Sequence, residues 1–196
     1  EPKNIIAYYP YNQESTIRPC VGATYCLDRI YEGNEALCIH NPATGREKFI
    51  PHEITELAKN KRRIVVIGAG PSGLEAARVC SARGHDVIVF EAGNTPGGQI
   101  NLITRSGRRK DMIGIVDWRY EMCKKNNVNF FFIIFADKNL ILKEKPDVII
   151  IATGGLPNLN NVEGNDLACS TWDIISGSIN IEDEVILYDD NGSYPG

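Results

Sequence analysis

Two groups of residues in this sequence have the types and spacing to do chemistry. The first is Gly68-Ala69-Gly70-Pro71-Ser72-Gly73. A lone Gly-x-Gly-x-x-Gly is weak, but this one follows the β-branched run Arg63–Ile67 and opens a helical stretch, the context that gives the motif its physics. Gly68 permits a tight turn, Gly70 lets a pyrophosphate approach the backbone, and Gly73 lets the helix lie close to the strand. The helix N-terminus adds free N–H groups and a partial positive charge. Glu91 closes the next strand, where a carboxylate accepts hydrogen bonds from both ribose hydroxyls and repels a 2′-phosphate. FAD, ADP or NAD fits such a site, and NADP does not.

Two stretches further along the chain favour FAD over NAD. Thr95-Pro96-Gly97-Gly98-Gln99-Ile100 resembles the segment that two-dinucleotide flavoproteins lay against the flavin side of the cofactor. Ala152-Thr153-Gly154 resembles the turn that closes their FAD domain. The predicted cofactor-binding residues are therefore Gly68, Ala69, Gly70, Pro71, Ser72, Gly73, Glu91, Ala92, Gly98, Gln99, Ala152, Thr153 and Gly154.

The second group is Cys20, Cys26 and Cys38, separated by five and eleven residues. Cysteine thiolates are the usual iron–sulfur ligands, and a cluster normally takes four. Ala23 stands where a cysteine would complete Cys-x-x-Cys-x-x-Cys-x11-Cys. Four readings stay open: a cluster with three iron atoms or a non-cysteine fourth ligand; zinc held by the three thiols and His40; a site that has lost its metal; and three unrelated thiols. Cys80, Cys123 and Cys169 read as packing or isolated residues, and His52 and His85 as structural.

The elements that must position these groups read as an α/β alternation. A strand at Arg63–Ile67 leads to a helix from Pro71 to Arg83, and a second strand covers Val87–Phe90. A helix from Lys110 to Lys125 presents Met112, Ile115, Trp118 and Met122, followed by strands at Val128–Phe135 and Val148–Ile151. This order predicts a doubly wound parallel sheet of Rossmann type. Residues 1–58, rich in Tyr, Asn, Pro and Cys, read as loops and short helical turns, and Glu184–Tyr188 as the opening strand of a further unit. The expected divisions are 1–58, 59–183 and 184–196. Both ends look cut.

The chain has 196 residues, a net charge of -4 and 43% hydrophobic content, enough for one sizeable core. With no basic stripe, nucleic acid is excluded as a partner, and Lys61-Arg62-Arg63 and Arg108-Arg109-Lys110 read as solvated ends of elements. No apolar run reaches the ~20 residues of a membrane span. Clustered rather than scattered cysteines favour a reducing, cytoplasmic setting.

Taken in order, Arg18-Pro19-Cys20-Val21-Gly22-Ala23-Thr24-Tyr25-Cys26, Cys38-Ile39-His40-Asn41-Pro42 and Gly68 to Ala77 resemble the trimethylamine dehydrogenase and 2,4-dienoyl-CoA reductase family of flavoproteins. Within it the sequence is most similar to the N-methylproline (stachydrine-type) demethylase and dimethylglycine dehydrogenase-like branch. The resemblance covers essentially the whole chain. It implies an N-terminal TIM barrel with FMN, a four-iron segment and two nucleotide-binding domains, of which this chain holds the barrel tail, the cluster segment and the FAD or ADP domain. The catalytic side chains then belong to the barrel, and no residue here is assigned as catalytic.

The sequence departs from the family at Ala23, and again at Asp189-Asp190, where NADPH-using members start another glycine motif. Two carboxylates there oppose a pyrophosphate. The implied function is an N-demethylating amine dehydrogenase, an iron–sulfur flavoprotein passing electrons from FMN through a cluster to an electron-transfer flavoprotein or similar acceptor, with a homo-oligomer compatible. The alternatives are an NAD(P)H-dependent ene or 2,4-dienoyl-CoA reductase and a non-catalytic nucleotide-binding or electron-transfer module.

Overall fold

The computed structural model describes residues 14–159, 163–181 and 184–188. It divides into two compact units, Glu1–Gly155 and Leu156–Gly196. The boundary expected near residue 58 falls inside the first unit.

The first unit is organised by a four-stranded sheet of β1 (Arg63–Ile67), β2 (Asp86–Phe90), β3 (Asn129–Phe131) and β4 (Val148–Ile151), in the order β3-β2-β1-β4. Every pairing is parallel, with Val65 beside Ile88 and Ile149. The β-branched runs of β1 and β2 suit a strand covered on both faces. Alternation then splits their side chains between two cores. Ile64, Val66, Val87 and Val89 meet Leu74, Ala77, Ile115, Val116 and Cys123. Val65, Ile88 and Phe90 meet Ile141 on the other side.

The helices follow from the same pattern. In chain order α1 is Tyr25–Tyr31, α2 Pro71–Ala82, α3 Ile100–Ile103, α4 Gly114–Lys125 and α5 Lys138–Lys143. Helix α2 begins with Pro71, pre-set for a first helical position, and buries Gly73, Leu74, Ala77 and Ser81. Asp137 caps α5 by accepting the Leu140 N–H at 2.8 Å. Helices α2 and α4 cover one face and α5 the other, so the doubly wound parallel arrangement stands.

Three expectations change. The strand expected at Val128–Phe135 is only three residues long, because Ile133 takes φ 59° and turns the chain out of the sheet. The helix expected from Lys110 opens as a 3-10 turn over Lys110–Ile113 before α4 begins. Glu184–Tyr188 forms no strand. The Asp189-Asp190 turn lies outside the described residues.

Arg63 is not a solvated end. Its guanidinium bonds Asp86 at the start of β2 and both the side chain and carbonyl of Glu144. One residue thus ties the amino ends of two strands to the end of α5. In the second unit α6 (Thr171–Ser176) carries a capping box between Ser170 and Asp173. No described helix is long and apolar enough to cross a membrane.

Candidate dinucleotide site

The carboxyl ends of β1, β2 and β4 meet at one edge of the sheet. Chain turns there because Gly68 takes φ +102°, and a Cβ on it would lie 2.4 Å from the Ala152 oxygen. Gly73 sits one helical turn further on, where a Cβ would lie 1.9 Å from the Gly68 oxygen. Only glycine lets strand, turn and helix close this tightly. The Gly68 N–H bonds the Phe90 carbonyl at 2.7 Å, and the Ala152 N–H bonds the Ile67 carbonyl at 2.8 Å. These bonds bring the β2 end and the Ala152-Thr153-Gly154 turn against the glycine turn.

Gly70 differs from its two neighbours. A Cβ built on it meets no heavy atom within 4 Å. The space in front of its backbone is open, at the N-terminus of a 12-residue helix. That is where a pyrophosphate would need to approach.

Glu91 closes the cradle from the β2 side. One carboxylate oxygen accepts the Ala69 N–H at 2.6 Å and the other accepts the Gly93 N–H at 2.7 Å. An ionised carboxylate offers about four lone-pair sites, so both oxygens keep capacity for ribose hydroxyls while the backbone bonds fix their direction. The loop after Glu91 folds back: Gly97 N–H donates to Ala69 O at 2.9 Å, and a Cβ on Gly98 would lie 3.3 Å from Gly70 Cα. Gln99 reaches across to the Gly155 carbonyl at 3.2 Å. The structure therefore gathers every predicted cofactor-binding stretch, 68–73, 91–92, 98–99 and 152–154, around one cradle. The residues fit the adenine-dinucleotide part of FAD or an ADP.

The cysteines behave differently. Cys20 is exposed, Cys26 and Cys38 are half-buried, and among the described residues no three His, Cys, Asp or Glu side chains gather to hold a metal ion. The structure does not bring Cys20, Cys26 and Cys38 into a ligand set. His40, the fourth ligand of the zinc reading, is 1% exposed, with its Nδ1 engaged by another side chain and its Nε2 buried without a hydrogen-bond partner among the described residues.

Its partner is a residue that sequence reasoning missed. Arg119, 5% exposed, extends from α4 and donates to His40 Nδ1 at 2.7 Å, to His40 O at 2.9 Å, to Ile115 O at 3.0 Å and to Glu75 at 2.8 Å. Arg78 also holds Glu75, and Arg18 lies 3.9 Å from the Trp118 ring centroid. Burial opposes the Glu75 charge, but the Arg78 hydrogen bond and the charges of Arg78, Arg119 and Arg18 together keep its pKa below the ordinary value. A signal for Arg119 was available. It falls between Ile115 and Cys123 on the α4 stripe that faces the core, whereas the expected Trp118 and Met122 lie at its flank.

His40 has a consequence for pH. Burial, then the Arg119 charge, lowers its pKa from 6.5 to about 3. The unfolded chain therefore takes up the proton first as acid is added. The His40 contribution to stability is complete above pH 6.5 and is lost as pH drops towards 3, by up to about 1.4 kcal/mol per pH unit. Urea midpoints at neutral and mildly acidic pH should show this fall, and His40→Asn should flatten it.

Residues 62–184 match the family described as Pyridine nucleotide-disulphide oxidoreductase. The chain belongs to that family. Its glycine turn, Glu91 and the Ala152 turn all lie within the matched span. The chain is 54% identical over 183 residues to the "Probable N-methylproline demethylase" of Rhizobium meliloti (strain 1021), covering 93% of this chain and 27% of that protein. It is 44% identical over 182 residues to the "Multifunctional alkene reductase/demethylase OYE" of Caballeronia cordobensis, covering 93% and 26%. Among solved structures it is similar to a 2-naphthoyl-CoA reductase complex, with a TM-score of 0.83 and 29% identity over 93% of this chain and 27% of that one. The chain thus spans about a quarter of the length of the curated relatives it matches. These relatives bear out the demethylase and reductase resemblance drawn from the motif order.

Proposed function

We propose that this chain is the nucleotide-holding part of a flavin-dependent oxidoreductase that N-demethylates a small amine. The observation that carries the reading is the 54% identity to a probable N-methylproline demethylase across nearly the whole chain. The open cradle at Gly70 gives the chain its own task within that protein.

In this scheme the glycine turn and the α2 N-terminus receive the pyrophosphate of FAD or ADP, and Glu91 receives the ribose hydroxyls. Gly98 and Gln99 fold over the cradle, and the Ala152-Thr153-Gly154 turn closes its far side. A bound nucleotide stabilises only the folded state, so this cofactor serves the fold whether or not it carries electrons. An FMN-bearing barrel outside this chain would supply the hydride-accepting chemistry. An electron-transfer flavoprotein or similar acceptor then removes the electrons, with the whole protein in the cytoplasm. The family resemblance implies an iron–sulfur cluster between them. Cys20, Cys26 and Cys38 do not fit one here.

A second reading has a specific support, since one relative is named as both an alkene reductase and a demethylase. The test is to express the whole gene and assay N-methylated amines with an artificial acceptor, beside enones with NADH or NADPH. Amine turnover is expected. Turnover of enones with a nicotinamide and none of amines would overturn the proposal in favour of the reductase.

A further inference from the structure

We infer that the Cys20–Cys38 segment holds no metal, and that a protein-only clasp fastens it to the nucleotide-binding fold where a cluster would otherwise fasten it. The inference does not depend on the demethylation reading. The spacing supplies three thiols, Ala23 occupies the position of a fourth, and no three ligands converge among the described residues. Ala23 instead packs against the main core, beside Val21, which is buried.

The clasp is visible residue by residue. A cluster bound through Cys20 and Cys38 would close the loop between them. Here Arg18, two positions before Cys20, donates to the Asn41 carboxamide oxygen at 2.6 Å, three positions after Cys38. That one bond closes the same loop. The Asn41 N–H donates to Cys38 Sγ at 3.3 Å, and Asn41 Oδ1 also accepts the Ala43 N–H at 3.2 Å. Ala43 is 1% exposed, so the loop end is buried as well as bonded.

The clasp is then anchored to the Rossmann helices. Arg119 on α4 grips both the ring nitrogen and the carbonyl of His40, and Glu75 on α2 holds Arg119 in place. Trp118 donates its indole N–H to Thr16 O at 2.9 Å and lies under the Arg18 guanidinium. Pro19 and Val21 come so close to Gly114 that a Cβ there would lie 3.1 and 3.2 Å from them. A buried guanidinium with most of its donors used fixes a carbonyl and a ring in one orientation, as a metal would, without needing thiolates.

The test uses the whole protein, purified without oxygen and then offered ferrous iron and sulfide. Iron, zinc and acid-labile sulfide are measured, and the native protein is treated with iodoacetamide and mapped by mass spectrometry. Substoichiometric metal and sulfide are expected before and after reconstitution, with Cys20, Cys26 and Cys38 alkylated in the folded protein while Cys123 is spared. A chelator should leave the unfolding temperature unchanged. Stoichiometric iron and sulfide, or zinc, with the three thiols protected until chelation, would overturn the inference. An Ala23→Cys variant purified and reconstituted beside it serves as the control that the assay can register a cluster.

Discussion

Replacing Gly73 with alanine should destabilise the first unit by about 3 kcal/mol. The added Cβ would lie 1.9 Å from the Gly68 carbonyl oxygen and 3.4 Å from Ala152 Cβ. The oxygen belongs to backbone, and the same turn is held by bonds from Gly68 to β2 and from Ala152 to β1. None of these can yield alone, so strand, turn and helix must separate together. Gly70→Ala makes the comparison sharp. Gly70 has φ -70° and ψ 179°, which any residue adopts, and its Cβ would meet nothing. That variant should keep its stability within about 0.5 kcal/mol. Urea unfolding of the two variants beside the parent measures both effects, and equal losses would contradict the geometry.

The second large effect is expected at Arg119. Replacement by leucine leaves the His40 carbonyl and ring nitrogen without their donor and removes one of the two arginines holding Glu75. Breaking one member of a buried ionic network costs about 3–5 kcal/mol, because the remaining groups stay buried and uncompensated. Arg119→Lys should recover little, since a single ammonium cannot serve His40, Ile115 and Glu75 at once. Changing Glu75 to leucine in the Arg119→Leu background should cost less than the two single losses added together, as members of one network couple. Denaturant midpoints of the four proteins check this, and strict additivity would mean the network is not a unit.

The glycine turn was legible in the sequence because its physics is local. Gly68 takes φ +102° and Gly73 packs onto the Gly68 carbonyl, both within a few residues, and the strand before and helix after are both written in short apolar patterns. Glu91 was legible for the same reason. The length of β3 was not. A mostly apolar run from Val128 to Phe135 looks like one strand, but Ile133 N–H bonds to Gly93 O and Ile134 N–H to Glu91 O, where the chain after β2 has already turned away. Where a sheet ends depends on the neighbouring strand, and no residue in the run carries that information.

Arg119 was hidden by its type. An arginine on an amphipathic helix is ordinarily solvated, and only its helical position marks it as inward-facing. Once inside, it recruits His40 and Glu75 from segments far along the chain. The same long-range contact changes the meaning of His40, which spacing alone offered as a zinc ligand. The cysteines illustrate the converse. Their spacing suggested convergence, yet Arg18 and Asn41 close the loop instead.

Equilibrium binding of FAD and of ADP to the whole protein and its Gly70→Ala variant, stripped of nucleotide, tests the central claim most directly. The parent should bind at least one of the two. The variant should unfold at the same temperature without ligand yet bind at least about tenfold more weakly, a loss of about 1.4 kcal/mol. Undiminished binding by the variant, or none by the folded parent, would contradict the assignment of the cradle at Gly70.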